Sequence, residues 1–202
     1  LPLHRQEKMW ERWGVTLSRK TMGGWLGYLS ELLDPLYQAG KKVLFESKFI
    51  GTDDTPVKVL DPLRNFARLG RIWPYAGDDG HPVVLFDYTS TRQRAGPEKF
   101  LAGYKGVLQA DAYKGYDAFF KPGRGLSEAG CWMHARRYFY KALESDQGRM
   151  GPALVLIARL YRVEEAASSM TSETRLALRQ QYSRKVLSSL RSDLEQIRAE
   201  VL

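Results

Sequence analysis

The sequence predicts an α/β protein built around one mixed β-sheet, with a helical segment before and after it. Strand signals are confined to residues 47–130, where three strands, a helix, a fourth strand and a second helix follow one another. Apolar residues recur at helical spacing in residues 3–46 and again in residues 131–202. Hydrophobic residues make up 44% of the 202-residue chain, which is typical of a folded globular protein and excludes a disordered one.

The first segment, residues 1–46, predicts two helices joined by a turn. A short amphipathic helix covers residues 5–13, and Ser18 is a suitable N-cap for the second helix. Arg19 and Lys20 at the start of that helix would bind DNA phosphates if the pair works as a helix-turn-helix. The alternative is a plain helical hairpin that packs on the following domain.

Residues 47–148 predict the sheet domain. The first strand starts at Phe49 and continues beyond Pro56, and a turn sequence over residues 78–82 joins the second and third strands into a hairpin. The predicted elements are strands at 49–60, 71–75 and 83–88, a helix at 97–101, a strand at 106–111 and a short helix at 113–120.

The chain then returns to helix, and we expect residues 149–202 to form a separate helical segment. The predicted helices cover residues 134–145, 152–168 and 172–202. Because the chain begins with Leu1 and stops within a helical pattern, we expect it to be a fragment of a longer protein.

The chain is basic, with 31 Lys and Arg against 23 Asp and Glu, a formal charge of +8. Residues 1–50 contribute +3, residues 51–130 contribute +1 and residues 131–202 contribute +4. Basic ends around a carboxylate-rich middle suit a polyanion such as DNA, and the alternative is a solvated basic surface.

Several classes of function are excluded. No apolar run is long enough to cross a membrane, and the polar N-terminus is not a signal peptide. A single cysteine, Cys131, permits no internal disulfide and fits a reducing cytoplasm. Neither a phosphate-binding GxxxxGK[ST] loop nor a GxSxG hydrolase motif is present, which argues against ATP use and serine hydrolysis.

Two aspartates at the ends of predicted strands carry the chemistry. Asp53 ends the first strand and Asp111 ends the fourth, 58 residues later. In this topology the two strands lie side by side and parallel, so the carboxylates would meet at one edge of the sheet. Two close carboxylates repel unless a cation joins them, and Mg²⁺ or Mn²⁺ is the natural partner. The alternative is that each Asp merely ends a strand and begins a turn.

Four stretches resemble the transposases of the bacterial insertion sequence 66 family. They occur in the family's order and cover nearly the whole chain: LPLHRQEKMWERWGVTLSRKTMGGWLGYLSELLDPLY, TDDTPVKVLDP, LFDYTSTRQRAGPEKFLAGYKGVLQADAYKGYDAFF and GCWMHARRYFYKALE. The resemblance implies a DDE transposase of a mobile genetic element, with an RNase H-like core and residues 149–202 as a helical insertion. Its first two catalytic, metal-binding acids fall on Asp53 and Asp111.

The same resemblance implies an activity and a set of partners. The intact enzyme would use Mg²⁺ or Mn²⁺ to cleave DNA at the element's ends and transfer the strands to target DNA. It would act as a homo-oligomer on DNA, and accessory proteins of the same element are further candidate partners.

This sequence departs from the family in two places. The usual Asp-Glu-Thr-Pro is here Asp53-Asp54-Thr55-Pro56, and we expect Asp54 to face away from Asp53 and to bind no metal. The third acid lies in an Asn-Asn-Xaa-Ala-Glu-Arg block that this sequence lacks, and Glu164 or Glu165 would be a poor substitute. The chain alone is therefore expected to be an incomplete transposase. The alternatives are a catalytically incomplete DNA-binding or assembly protein, or another RNase H-like nuclease or resolvase.

The remaining candidates follow the second aspartate. Cys131 and His134 form a Cys-x-x-His pair that lacks two further ligands for zinc. The resemblance implies that His134 and Arg137 lie near the active site, and Arg136 is a further candidate for binding DNA. The alternative is a core cysteine and a surface histidine. Two tyrosines of the LQADAYKGY stretch are expected to pack against the strand end rather than to act as covalent nucleophiles.

Overall fold

The computed structural model describes residues 2–60 and 66–201, and Asp61 and Pro62 of the TDDTPVKVLDP stretch lie outside them. The chain divides into two compact units, residues 1–129 and residues 130–202. The domain boundaries predicted after residues 46 and 148 stay a prediction. No described helix has the length and apolar character needed to cross a membrane.

A helical hairpin begins the first unit, as predicted. Helix α1 covers Leu3–Arg12 and helix α2 covers Arg19–Glu46. Ser18 caps α2 by accepting a hydrogen bond from the backbone N–H of Thr21 at 3.1 Å. The C-terminal part of α2 packs on the sheet, where Leu44 is fully buried, whereas several apolar side chains of its N-terminal half are exposed.

Four strands form the antiparallel part of the sheet. They are β1 at Phe49–Thr52, β2 at Thr55–Val59, β3 at Arg68–Ala76 and β4 at Val84–Thr89. Both β1 and β2 pair with β3 in a single register, Thr52 opposite Tyr75 and Thr55 opposite Ile72. The predicted first strand is thus one strand interrupted at two residues. The interruption lies opposite Pro74 of β3, which has no backbone N–H to donate to a neighbouring strand.

A parallel strand completes the predicted arrangement. Strand β5 covers Gly106–Ala110 and pairs with β1 in parallel, Ile50 beside Leu108. Helix α3 at Ala95–Phe100 precedes β5, and a 3₁₀ helix at Lys114–Phe120 follows it. Strand β6 at Leu126–Gly130, which the sequence analysis missed, lies beside β5.

The sheet order confirms the predicted mixed α/β class. With β1 and β2 counted as one interrupted strand, the order is β4-β3-β1-β5-β6, and only the β1–β5 pairing among those assigned a direction is parallel. This is the RNase H-like arrangement. Large aromatic side chains fill its core, with Tyr75 stacked on Phe100 at 3.7 Å between ring centroids and Trp73 fully buried.

The second unit is helical. Its α-helices are α4 at Trp132–Ala142, α5 at Gln147–Ala166, α6 at Ser172–Leu178 and α7 at Arg184–Val201. A π-helical segment at Arg179–Ser183 joins α6 to α7, where the sequence predicts one uninterrupted helix. Ala153, Ile157 and Leu190 form the buried centre of this unit.

Candidate active site

Asp53 and Asp111 lie together at one edge of the sheet. Each directly follows its strand, β1 or β5. These strands pair with an offset of 58 residues, Phe49 beside Val107, and 58 residues also separate the two aspartates. Carboxylate oxygens of Asp53, Asp54 and Asp111 lie within 4.8 Å of one another. The register of the parallel pair thus produces the convergence expected from the sequence.

The expectation that Asp54 faces away from Asp53 is wrong, because its carboxylate belongs to the same cluster. Side chains alternate between faces along a continuous strand. Asp53 and Asp54 instead fill the interruption between β1 and β2, outside the regular ladder. The alternation rule therefore does not apply to them.

Two arginines neutralise Asp54, whose side chain is only 2% exposed. Arg71 Nη1 donates to Oδ2 at 2.7 Å. Arg92 donates to Oδ1 through Nε at 2.9 Å and through Nη2 at 2.6 Å. A buried carboxylate is tolerated when it is paired and hydrogen-bonded in this way. Since both oxygens are engaged by guanidinium groups, Asp54 is poorly suited to bind a metal ion.

Arg92 also contacts the second aspartate. Its Nη2 lies 3.3 Å from Asp111 Oδ2, and its guanidinium lies 4.2 Å from the ring centroid of Tyr113. The Tyr113 hydroxyl donates to the backbone carbonyl of Arg92. Burial lowers the pKa of Arg92, but the hydrogen bond to Asp54 and the charges of Asp54 and Asp111 outweigh it and raise that pKa overall. Arg92 therefore stays a cation beside the carboxylates.

The donor set fits a divalent cation at Asp53 and Asp111. Asp111 Oδ1 is buried and accepts no hydrogen bond from the described residues. Asp53 Oδ1 accepts the backbone N–H of Asp54 at 2.7 Å. Mg²⁺ and Mn²⁺ prefer carboxylate oxygens, and a cation would relieve the repulsion between the two aspartates.

The two tyrosines after Asp111 pack at the strand end, as expected. Tyr116 is 2% exposed and its ring meets Trp73 and Tyr113 edge to face. Burial raises the pKa of the Tyr116 hydroxyl well above its usual range, and the charges of nearby aspartates, Asp111 first, add to the effect. The phenol stays protonated, which does not suit a covalent nucleophile.

The predicted DNA-binding residues occupy two places. Arg19 and Lys20 begin α2 and are exposed, and Arg19 forms an ion pair with Glu7 at 2.8 Å. Arg136 and Arg137 lie exposed on α4 of the second unit. Their predicted role in binding DNA stays a prediction.

Cys131 and His134 lie at the start of α4, where both are half-buried. Over residues 2–60 and 66–201, the aspartate cluster is the one group of three or more acidic, His or Cys side chains placed to hold a metal ion. Within the described part of the chain, Cys131 and His134 therefore belong to no such group.

Glu164 and Glu165 are exposed on α5. Arg179 holds Glu164 through two hydrogen bonds of 2.8 and 2.5 Å. The hydrogen bond from Arg179 is the main cause of the lowered pKa of Glu164. The ion pair with Arg179 explains the position and charge of Glu164 within the helical unit, so no role as a third catalytic acid is needed.

Sequence reasoning missed the roles of Asp54, Arg71 and Arg92. One signal for Arg92 was present, because β4 is antiparallel to β3 and β3 is antiparallel to β1. The C-terminal end of β4 therefore lies at the same edge of the sheet as those of β1 and β5. Arg92 follows β4 by three residues and reaches the aspartates from that end.

Comparison with known proteins finds a family and several relatives. Residues 1–202 match the Transposase IS66 family. The chain is 29% identical to the uncharacterized protein y4hP of Sinorhizobium fredii (strain NBRC 101917 / NGR234), across 98% of the chain and 40% of that protein. It is 30% identical to the uncharacterized protein y4qI of the same organism, across 94% of the chain and 38% of that protein. The chain thus spans about two fifths of the length of these relatives.

Proposed function

The chain belongs to the IS66 family of transposases, and from this premise we propose that it carries part of a metal-dependent active site for DNA transposition. Asp53 and Asp111 would hold Mg²⁺ or Mn²⁺. The observation that carries the proposal is the parallel pairing of β1 and β5, which the two aspartates directly follow, with carboxylate oxygens within 4.8 Å of one another.

The proposed reaction is cleavage of a phosphodiester at the element's end, followed by transfer of the freed 3′ end to target DNA. A bound divalent ion stabilises negative charge at the reacting phosphate and favours in-line displacement. The chain's own residues fix the geometry. The parallel strands position Asp53 and Asp111, and the Arg71–Asp54–Arg92 group holds the turn that follows β1.

DNA is the proposed partner, which the protein would bind as a homo-oligomer in the cytoplasm. Accessory proteins of the same element are further candidate partners. Exposed basic residues, Arg19 and Lys20 on α2 and Arg136 and Arg137 on α4, would bind phosphates and set position rather than sequence. His134 would support the bound DNA from the same helix as Arg136 and Arg137.

A second candidate is a DNA-binding or assembly protein without turnover. One observation favours this second candidate for residues 1–202 when they act alone. Of the three acids clustered within the described residues, Asp54 is neutralised by two arginines, which leaves two for a metal. Metal-dependent nicking of plasmid DNA by this chain would exclude the second candidate. DNA binding without nicking would support it.

The first test is Mn²⁺ binding by calorimetry. We expect the wild-type chain to bind Mn²⁺, and Asp53→Asn and Asp111→Asn each to weaken binding at least tenfold, because each removes a charged ligand. Asp117→Asn is the matched control, since Asp117 is exposed on the neighbouring 3₁₀ helix and lies outside the cluster. Equal affinity of all four proteins would show that the two aspartates are not the ligands.

A further inference from the structure

Arg92 holds two aspartates with unequal strength. It makes two short hydrogen bonds to Asp54, at 2.6 and 2.9 Å, and one longer contact of 3.3 Å to Asp111. Its side chain is 40% exposed, whereas that of Arg71, the other partner of Asp54, is 19% exposed. Arg71 thus serves as a structural partner of Asp54, and Arg92 both reaches the candidate metal ligand and faces solvent.

We propose that Arg92 is the resident counter-cation of Asp111 when no metal is bound, and that it binds the DNA phosphate when a metal ion takes over Asp111. This inference rests on the proposed function of Asp53 and Asp111 and adds to it a substrate-binding residue that competes with the metal.

Charge explains the competition. Arg92 and a divalent ion are both attracted to the carboxylate of Asp111 and repel one another at that distance. Binding of the ion to Asp111 would therefore weaken the 3.3 Å contact of Arg92 with Oδ2, the longest of its contacts with the two aspartates. The two bonds to Asp54 keep the guanidinium at the sheet edge when that contact is lost.

The chemistry of the guanidinium explains the second role. Arginine carries five N–H donors in a planar fork that matches a phosphate, and the contacts to both aspartates use only Nε and Nη2. The group remains charged, partly exposed and beside the residues that would hold the metal. A phosphate brought to that metal would meet an arginine whose position Asp54 has already set.

The first arm of the experiment measures Mn²⁺ binding to the full chain by calorimetry. Arg92→Gln removes the competing cation, so we expect Mn²⁺ to bind three- to tenfold more tightly, roughly the effect of losing one neighbouring charge. Arg92→Lys keeps the charge and should bind Mn²⁺ as the wild type does. Arg94→Gln is the matched control, because exposed Arg94 pairs with Glu98, which lies outside the aspartate cluster, and its loss should leave Mn²⁺ affinity unchanged.

The second arm measures binding of a short DNA duplex by fluorescence anisotropy, with and without Mn²⁺. In the wild type, Mn²⁺ frees Arg92 for the phosphate, so DNA affinity should rise. In Arg92→Gln we expect that rise to be at least threefold smaller, whereas Arg94→Gln should keep it. One substitution would then strengthen metal binding and weaken metal-dependent DNA binding, an opposite pair of effects that mere loss of structure does not produce.

The outcomes separate the two proposals. If the wild type does not bind Mn²⁺, the metal site itself is wrong and this inference falls with it. If the wild type binds Mn²⁺ but Arg92→Gln changes neither affinity, or weakens both together, only the role of Arg92 is overturned. If thermal unfolding shows that Arg92→Gln does not fold, Arg92→Lys tests the role of Arg92 instead. Arg92→Lys is expected to lose the Mn²⁺-dependent gain in DNA affinity, whereas Arg94→Lys is expected to keep it.

Discussion

Asp54 shows how one buried charge organises the residues around a candidate site. Its side chain is only 2% exposed, against 16% for that of Asp111. Arg71 and Arg92 reach it from β3 and from the loop after β4. Asp54 thereby ties these two segments to the turn that carries Asp53.

Loss of the Asp54 charge should destabilise the fold more than loss of an exposed partner does. Asp54→Asn leaves two arginines without their charged acceptor, and we expect it to lower the free energy of unfolding by about 3 kcal/mol. Glu98→Gln, which removes the partly exposed partner of the exposed Arg94 and Arg124, should cost at most about 1 kcal/mol. Urea denaturation followed by circular dichroism measures both. Similar losses for the two variants would mean that Asp54 is not a structural centre.

At the level of residues, strand ends could be predicted and side-chain partners could not. Asp53 and Asp111 were found because each ends an apolar strand and the topology makes those strands parallel neighbours. Asp54 was missed because its direction depends on the break in the ladder. Arg92 was missed because the direction of β4 indicates only the edge of the sheet where it lies, and not the aspartates that its guanidinium contacts.

Secondary-structure elements with strong apolar patterns were predicted well, and weakly patterned ones were not. The hairpin of β3 and β4 and the parallel strand β5 are rich in aromatic and aliphatic residues, of which Trp73, Tyr75 and Leu108 are fully buried. Strand β6 reads Leu-Ser-Glu-Ala-Gly, which has no strand signal, and its place beside β5 is set by the sheet. The π-helical segment between α6 and α7 was likewise missed, because no Gly or Pro marks it in the sequence.

The turn between β3 and β4 offers a test at the level of the element. A Cβ atom on Gly77 would lie 2.2 Å from the backbone oxygen of His81 and 2.7 Å from Ser47 Oγ, whereas one on Gly80 would meet only Asp78 Oδ1 at 3.4 Å. We expect Gly77→Ala to lower the free energy of unfolding by about 2–3 kcal/mol through overpacking. Gly80→Ala should change it by less than about 0.5 kcal/mol.

Thermal and urea unfolding of the two glycine variants measures the difference. Because β4 leads to Arg92, the Gly77 variant should also disturb the candidate site, and Mn²⁺ binding provides a second measurement. Equal stability of the two variants would contradict the close packing of this turn.

Across the whole molecule, positive charge is divided evenly between the two units. Residues 1–129 contain 19 basic and 15 acidic side chains, and residues 130–202 contain 12 and 8, so each unit has a formal charge of +4. The candidate metal ligands and their arginines all belong to the first unit. The role proposed for the second unit is therefore DNA binding through Arg136 and Arg137, which lie exposed on α4.

The salt dependence of DNA binding tests that contribution. Each phosphate contact by Lys or Arg releases counterions and adds about 0.9 to the slope of log affinity against log salt. If Arg136 and Arg137 both contact phosphates, the double variant Arg136→Gln/Arg137→Gln should lower the slope by roughly 1.8 and weaken binding to all sequences alike. The double variant Arg191→Gln/Arg198→Gln is the control, because it removes the same charge from exposed positions of α7. Equal slopes for the two double variants would assign the effect to net charge and remove Arg136 and Arg137 from the DNA-binding surface.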